Sequence, residues 1–427
     1  MATARDPYPD ALRAIALLIV VLGHWVATLP RIEGGKLVDT GHILAAWAPA
    51  GYYTWIVQVV PLFVFVSAAV SSDGVWQRYR AGEPHAHWWA ERGLGLARPT
   101  VTYLSVLVAV VLVSSYTREG ILGELNYSLT IHLWFLGVLL GVQLLLPACV
   151  WVERHWGVKA VVGLVLLMAS VDLLRASPES LNDLGRFGAL VTDAHDHFAW
   201  INALLFWIAP QLLGIAWWNG RLRGRRRGMG MALLGLAWLL LAVALGYPAS
   251  MVNGDLGGDT NLLPPTLALC GVVWLQVGVV MVFEKPVRTF LQRRHLGRWM
   301  ALFGAFGLQL YLWHKLAELP AAWIGQRLGW PIDAGMPGEP GFWLGRLDWI
   351  GLCTLMVVPV MLVVGLFERQ RRQEVAAAQG AQRIAAGGVA LFTGLGASLL
   401  LGAYPGSLIG LPLVAMASWL LRAPQQA

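Results

Sequence analysis

Apolar stretches of membrane-spanning length recur along the whole chain, and no other feature narrows its fold so far. They lie at about 12–29, 55–72, 99–116, 132–150, 157–174, 200–219, 229–247, 264–284, 299–317 and 348–368, each long enough as a helix to cross the hydrocarbon layer. Two shorter runs, at about 386–403 and 406–421, are broken by "YPGS" at 404–407 and read either as two thin spans or as a hairpin that does not cross. Lipid offers no partners for backbone N–H and C=O groups, so segments of this length satisfy them internally as helices. The expected fold is all-α: a polytopic transmembrane bundle of about ten core helices, with one or two further apolar segments at the C-terminal end.

Composition agrees. Across 427 residues, 57% are hydrophobic, 13% are charged and the mean hydropathy is +0.61, which leaves too little charge to cover a soluble globule. The first run is expected to be a retained span rather than a cleaved leader. It runs into His24 and Trp25 without a small-x-small cleavage site, and further spans follow. Several of the 22 tryptophans sit at span ends, where amphipathic rings anchor to the interface.

Orientation follows from the basic residues. With the N-terminus inside, runs such as "RLRGRRR" (221–227) and "KPVRTFLQRRHLGR" (285–298) place 23 of the 31 Lys and Arg on the inner side and 8 on the outer. The positive-inside rule therefore predicts a cytoplasmic N-terminus, in a multi-pass protein of the cell membrane. The net charge of +7 then needs no anionic partner, and nucleic acid is not expected as one. Cys149, Cys270 and Cys353 lie in or beside spans without ligand spacing and read as packing residues. No nucleotide loop or zinc signature is present, and "DAHDHF", with His195 and His197, has the character of a solvated loop; no metal is expected.

The outer loops, about 30–54, 117–131, 175–199, 248–263 and 318–347, are too short to form a separate domain. Any chemistry belongs to the bundle, where ionisable residues are functional candidates by default. The first span reads "DALRAIALLIVVLGHW" (10–25). Arg13 and His24 are eleven positions apart, three helical turns plus about 20°, so they share a face and stand roughly 16 Å apart along the axis. Asp10, three residues before Arg13, can pair with its guanidinium. His132 opens the fourth span, His314 lies near the outer end of the ninth, and Asn261 precedes the eighth on the same side. Three histidines in the outer halves of three spans can converge on one cavity. At the inner mouths, Arg13, Arg92 and Arg98 suit phosphate recognition, because a guanidinium donates a planar, bidentate fork. An inner anion site and an outer imidazole suggest a long anionic donor, and coenzyme A has that shape.

These residues carry a resemblance. "DALRAIALLIVVLGHW" is similar to the opening of the acyltransferase-3 family of integral membrane O-acyltransferases, in which an Arg is followed after ten residues by a His. "PLFVFVSAAVS" (61–71) resembles the family's second segment, with Ala68 where Gly usually follows the Ser. "ERGLGLARP" (91–99), "HLWFLGVLLGVQLLLP" (132–147), "NLLPPTLAL" (261–269), "YLWH" (311–314) and "FER" (367–369) follow in order. The resemblance thus spans about residues 10–369, and suggests an acyltransferase domain over 1–384 with the apolar pair appended over 385–427.

The resemblance implies transfer of an acyl group, often acetyl, from cytosolic acyl-coenzyme A to a hydroxyl of a carbohydrate, glycolipid or related extracytosolic acceptor, without a metal. It implies His24 as general base or as a transient acyl carrier, a role suited to an imidazole that titrates near neutrality. Arg13 would hold the donor phosphates with Asp10 fixing its rotamer, and Arg92 and Arg98 would assist. His132 and His314 would act beside His24, with Tyr311, Trp134 and Asn261 toward the acceptor. The competing reading is a transporter or flippase for a lipid-linked sugar or anionic metabolite, in which the same His and Arg are translocation ligands. The absence of an evident internal repeat and the fixed Arg–His separation favour the enzyme.

Overall fold

A computed structural model describes residues 6–33, 36–117, 125–176, 198–252, 260–330, 332–333, 335–370 and 380–422. The long helices, in chain order, are α1 (Pro7–Ala27), α2 (Ala50–Val57), α3 (Val60–Arg80), α4 (His85–Thr117), α5 (Trp134–Trp156), α6 (Val158–Ala176), α7 (Ile201–Trp218), α8 (Arg225–Ala244), α9 (Ala268–Arg293), α10 (Gly297–Trp313), α11 (Glu318–Leu328), α12 (Phe342–Gln370), α13 (Ala381–Leu401) and α14 (Ser407–Leu420). Among the described residues nine helical stretches are long and apolar enough to cross a membrane, so the protein is a helical, multi-pass membrane bundle. The expected fifth and ninth spans form helices too, α6 and α10. The first carries Lys159, Asp172 and Arg175, and the second has only 17 residues.

Several helices outrun the apolar runs that announce them. α4 begins at His85, well before Pro99, and α3 continues to Arg80. Hydropathy marks only the part that fits hydrocarbon, whereas a helix continues for as long as its backbone bonds do. The 30–54 loop is not wholly irregular: Thr28–Glu33 pairs antiparallel with Lys36–His42 in a two-stranded ribbon. Six or seven residues with no apolar run give too little signal to announce such strands.

The chain forms two compact units, each gathered from separate stretches. Met1–Ile19, Trp47–Gln77 and Leu145–Ala301 make the first, and Val20–Ala46, Arg78–Leu144 and Leu302–Ala427 the second. In the first unit α8 and α9 meet at their glycines. A Cβ on Gly235 would fall 2.4 Å from the Leu275 nitrogen, and one on Gly278 2.4 Å from that of Ala232, so the two backbones are in contact, as small residues allow in lipid. Asp172 of α6 is satisfied in place by the Asn202 amide at 2.8 Å, the Tyr247 hydroxyl at 2.8 Å and the Leu267 N–H at 2.7 Å. Those three donors explain how a carboxylate is tolerated in an otherwise apolar helix.

In the second unit α13 and α14 fold back on each other. A Cβ on Gly394 would touch Val414 and Leu413, and one on Gly387 would touch Leu421. The side chain of Asn126 clamps the connecting kink: its amide donates to the Tyr404 carbonyl at 3.1 Å, and its oxygen accepts from the Tyr404 N–H at 2.7 Å. The C-terminal apolar pair is therefore a packed helical hairpin within this unit.

Candidate active site

α1 runs unbroken from Pro7 to Ala27 because its apolar residues supply no breaker before the ribbon. Arg13 and His24 therefore stand on one continuous helix, eleven residues apart. Asp10 is buried and forms an ion pair with Arg13, Nη1 to Oδ1 at 3.6 Å. The two residues are three apart, on the same side of the helix. Asp10 thus orients the guanidinium.

The second unit joins the three histidines. His24 Nδ1 lies 2.7 Å from His314 Nε2, with the rings stacked at 24° and their centroids 5.0 Å apart. His314 Nδ1 lies 2.6 Å from the carbonyl of Tyr311. A carbonyl only accepts, so Nδ1 of His314 carries a hydrogen and Nε2 of the neutral ring accepts. His24 must then donate from Nδ1, which leaves the lone pair of its own Nε2 available. The chain of bonds fixes the tautomer of His24 and turns its basic nitrogen away from His314.

The backbone on both sides of this pair is tied down. Trp25 Nε1 donates to the His314 carbonyl at 3.1 Å, and Trp349 Nε1 to the Trp25 carbonyl at 3.0 Å. Thr28 donates to the His24 carbonyl at 2.9 Å and accepts from Lys315 Nζ at 3.1 Å. Lys315 in turn grips both oxygens of Glu318 at 2.8 and 2.7 Å, and both residues are buried. Arg346, also buried, donates to the carbonyls of Thr28 at 2.7 Å and Ile332 at 2.6 Å.

His132 sits in the short helical turn Ile131–Leu133, just ahead of α5. Two buried tyrosines hold that turn. Tyr103 donates its hydroxyl to the Leu129 carbonyl at 2.6 Å, and Tyr311 donates to the carbonyl of His132. The His132 ring meets the rings of Tyr103, Tyr311 and His314 edge-on, with centroids 5.4, 5.6 and 5.4 Å away. It is 1% exposed, and neither ring nitrogen completes a hydrogen bond among the described residues. A buried imidazole in that state is costly unless it meets a further polar group.

Of the other sequence candidates, Tyr311 spends its hydroxyl on the His132 turn and packs against Phe135 at 5.1 Å. Trp134 begins α5 beside Phe135, ring centroids 6.4 Å apart. Arg92 lies over the Trp88 ring at 5.0 Å, and the buried Nε of Arg98 meets no partner among the described residues. Asn261 belongs to the first unit. It donates to the carbonyls of Pro248 and Ser250 at 2.6 and 2.9 Å and accepts from Thr266 at 2.6 Å, bonds that leave little of its amide for a ligand. His195 and His197 fall outside the described residues. Among the described residues no group of three His, Cys, Asp or Glu is placed to hold a metal ion. Cys149, Cys270 and Cys353 are free and buried.

Sequence reading did not single out Thr28, Lys315, Glu318 or Arg346. The only available signal was the i, i+3 pairing of Lys315 with Glu318.

A multi-pass helical bundle whose polar heart is a tautomerically fixed histidine pair is a membrane protein equipped for proton transfer. The acyltransferase-3 family model, described as an acyltransferase domain, matches residues 6–369, and the chain belongs to that family of membrane acyltransferases. The match takes in all three histidines and ends before the α13–α14 hairpin. Neither curated proteins nor solved structures yield a match to this chain.

Proposed function

We propose that this protein is an O-acyltransferase of the cell membrane. It would take an acyl group, acetyl being the simplest, from cytosolic acyl-coenzyme A and pass it to a hydroxyl of an extracytosolic carbohydrate or glycolipid. The observation that carries this reading is the available Nε2 of His24, held in its tautomer by His314. The acceptor hydroxyl gives its proton to that nitrogen as its oxygen bonds to the thioester carbonyl carbon. Collapse of the tetrahedral intermediate breaks the C–S bond, and the proton on Nε2 passes to the departing thiolate. His132, buried and edge-on to His314 at a centroid distance of 5.4 Å, is suited to donate to the thioester oxyanion or to an acceptor hydroxyl. Arg13, held by Asp10 and roughly 16 Å back along α1, is suited to the donor phosphates, with Arg92 and Arg98 in support. The cytoplasmic N-terminus rests on the basic asymmetry of the loops.

The test uses purified full-length protein in lipid nanodiscs, supplied with labelled acetyl-coenzyme A and extracts of envelope glycans and glycolipids. Labelled product should form with the wild type. His24→Ala should lower the rate about 10²- to 10⁴-fold, the usual worth of a general base, at equal protein yield. Undiminished transfer by that variant would remove His24 from the chemistry. Uptake of an anionic solute without transfer would favour the transporter instead.

A further inference from the structure

The last turns of α9 carry a cleft of about 540 Å³ lined by Lys285, Pro286, Thr289, Phe290, Arg293 and Arg294. The residues form two rows at i, i+4 and i+8: Lys285, Thr289 and Arg293 in one, Pro286, Phe290 and Arg294 in the other. Residues four apart lie above one another on a helix face, so each row presents a continuous strip. Three cations, one hydroxyl and one exposed aromatic ring thus share a single concave surface.

Among the described residues the charge there is uncompensated. Arg288, on the same helix, takes both nearby carboxylates, pairing with Asp6 at 3.0 Å and Glu284 at 3.1 Å. Lys285, Arg293 and Arg294 have no ion pair among the described residues. A helix C-terminus favours cations by its dipole, and inner loops favour them for orientation. Neither preference calls for a cleft, or for a threonine and a phenylalanine placed among the charges.

The start of α1 packs on this same stretch of α9. The Tyr8 hydroxyl donates to the Val280 carbonyl at 2.6 Å, Arg288 lies over the Tyr8 ring at 5.6 Å, and a Cβ on Gly297 would touch Pro7. Arg13 follows Tyr8 by five residues on α1. Arg288, which meets α1, is about 160° around α9 from Pro286 and Phe290, so α1 and the cleft share this stretch of α9 without sharing a face.

We propose that this cleft binds a phosphorylated adenine nucleotide, with Lys285, Arg293, Arg294 and the Thr289 hydroxyl on phosphate oxygens and Phe290 against the base. Its identification as the nucleotide end of the donor rests on the acyl-coenzyme A reading above. Cations suit the phosphates, and an exposed phenyl ring offers a stacking face for a purine.

The test measures binding of 3′,5′-ADP and of coenzyme A to the full chain in phosphatidylcholine nanodiscs. It compares wild type, the triple variant K285Q/R293Q/R294Q and R225Q/R226Q, which removes charge from another basic run. The triple variant should bind both nucleotides about tenfold or more weakly, an effect that shrinks at high salt, while R225Q/R226Q binds as the wild type does. Equal weakening by both variants would reduce the effect to general charge and overturn the proposal. So would unchanged binding of 3′,5′-ADP by the triple variant, and if acetyl transfer by the wild type persists, the donor reading stands without this cleft. If the triple variant lost only retention of phosphatidylglycerol in mixed nanodiscs, the cleft would be a lipid headgroup site and the proposal would fall. Binding of 3′,5′-ADP through these residues by a protein that transfers no acyl group would support the nucleotide site and sink the donor reading alone.

Discussion

His24 and His314 are 290 positions apart in the chain, yet Nδ1 of one lies 2.7 Å from Nε2 of the other. The Tyr311 carbonyl, 2.6 Å from Nδ1 of His314, gives that contact a direction. It makes His314 the acceptor and His24 the donor, so in the proposed mechanism His314 is a positioning residue for the base. Its part resembles that of the carboxylate behind a catalytic histidine, with a neutral ring in place of the charge.

His314→Ala should therefore lower kcat about ten- to a hundredfold with little change in KM for either substrate, as expected for one orienting hydrogen bond lost. His314→Gln should recover part of the loss, because its amide oxygen can accept from His24 Nδ1. Steady-state kinetics on purified variants check this. A Gln variant no better than Ala, at equal yield, would mean that packing rather than orientation is what His314 supplies.

The ion pair between Lys315 and Glu318 yields a second expectation. Both side chains are buried, with side-chain exposures of 6% and 4%. Lys315→Met or Glu318→Leu alone leaves one buried group without its counterpart and should cost about 3–5 kcal/mol. The double variant Lys315→Met/Glu318→Leu should regain much of that stability. Thermal unfolding in nanodiscs reads the cycle; additive losses would show that the two groups do not depend on each other.

Much of this arrangement was legible beforehand because it follows from period and depth. Eleven residues bring Arg13 and His24 to one face of any helix, whatever surrounds it. His132 and His314 sit at corresponding depths in their spans, which pointed to convergence. The direct bond between His24 and His314 was not legible, since no local pattern states which distant helices touch or which nitrogen faces which. The buried Lys315 was not legible for a related reason. A lysine at a predicted span end normally snorkels to water, but Glu318, one turn on, neutralises it inside. Asn261 was judged by its polarity, although its bonds to Pro248, Ser250 and Thr266 hold a connecting strap together.

The close approach of α8 and α9 sets a third expectation. With Gly235 and Gly278 against facing backbone nitrogens, no side-chain rotation can admit a larger residue. Gly278→Val or Gly235→Val should push the helices apart and cost about 1–3 kcal/mol or more. Lower yield of folded protein in size-exclusion chromatography would show it. Wild-type yield and melting temperature in both variants would mean that the pair separates without penalty.

The last expectation concerns sidedness. The loops place 23 of 31 basic residues on the side of the N-terminus, so Arg13 faces the cytosol in the proposed orientation, and His24 stands three turns deeper along the same helix. A donor held by its phosphates at Arg13 can bring its thioester toward His24 on a slender arm, while the acceptor reaches the histidines from the other side. On this proposal the acyl group crosses most of the membrane without ever being free. In sealed inside-out vesicles, acetyl-coenzyme A added outside should acylate acceptor trapped in the lumen, and Arg13→Lys should raise the donor concentration required, since the bidentate fork is lost. Acceptor supplied only with the donor, on the outer face of those vesicles, should stay unmodified. Efficient modification there would place both substrates on the cytosolic side, leaving His24 its role as base but removing the passage across the membrane.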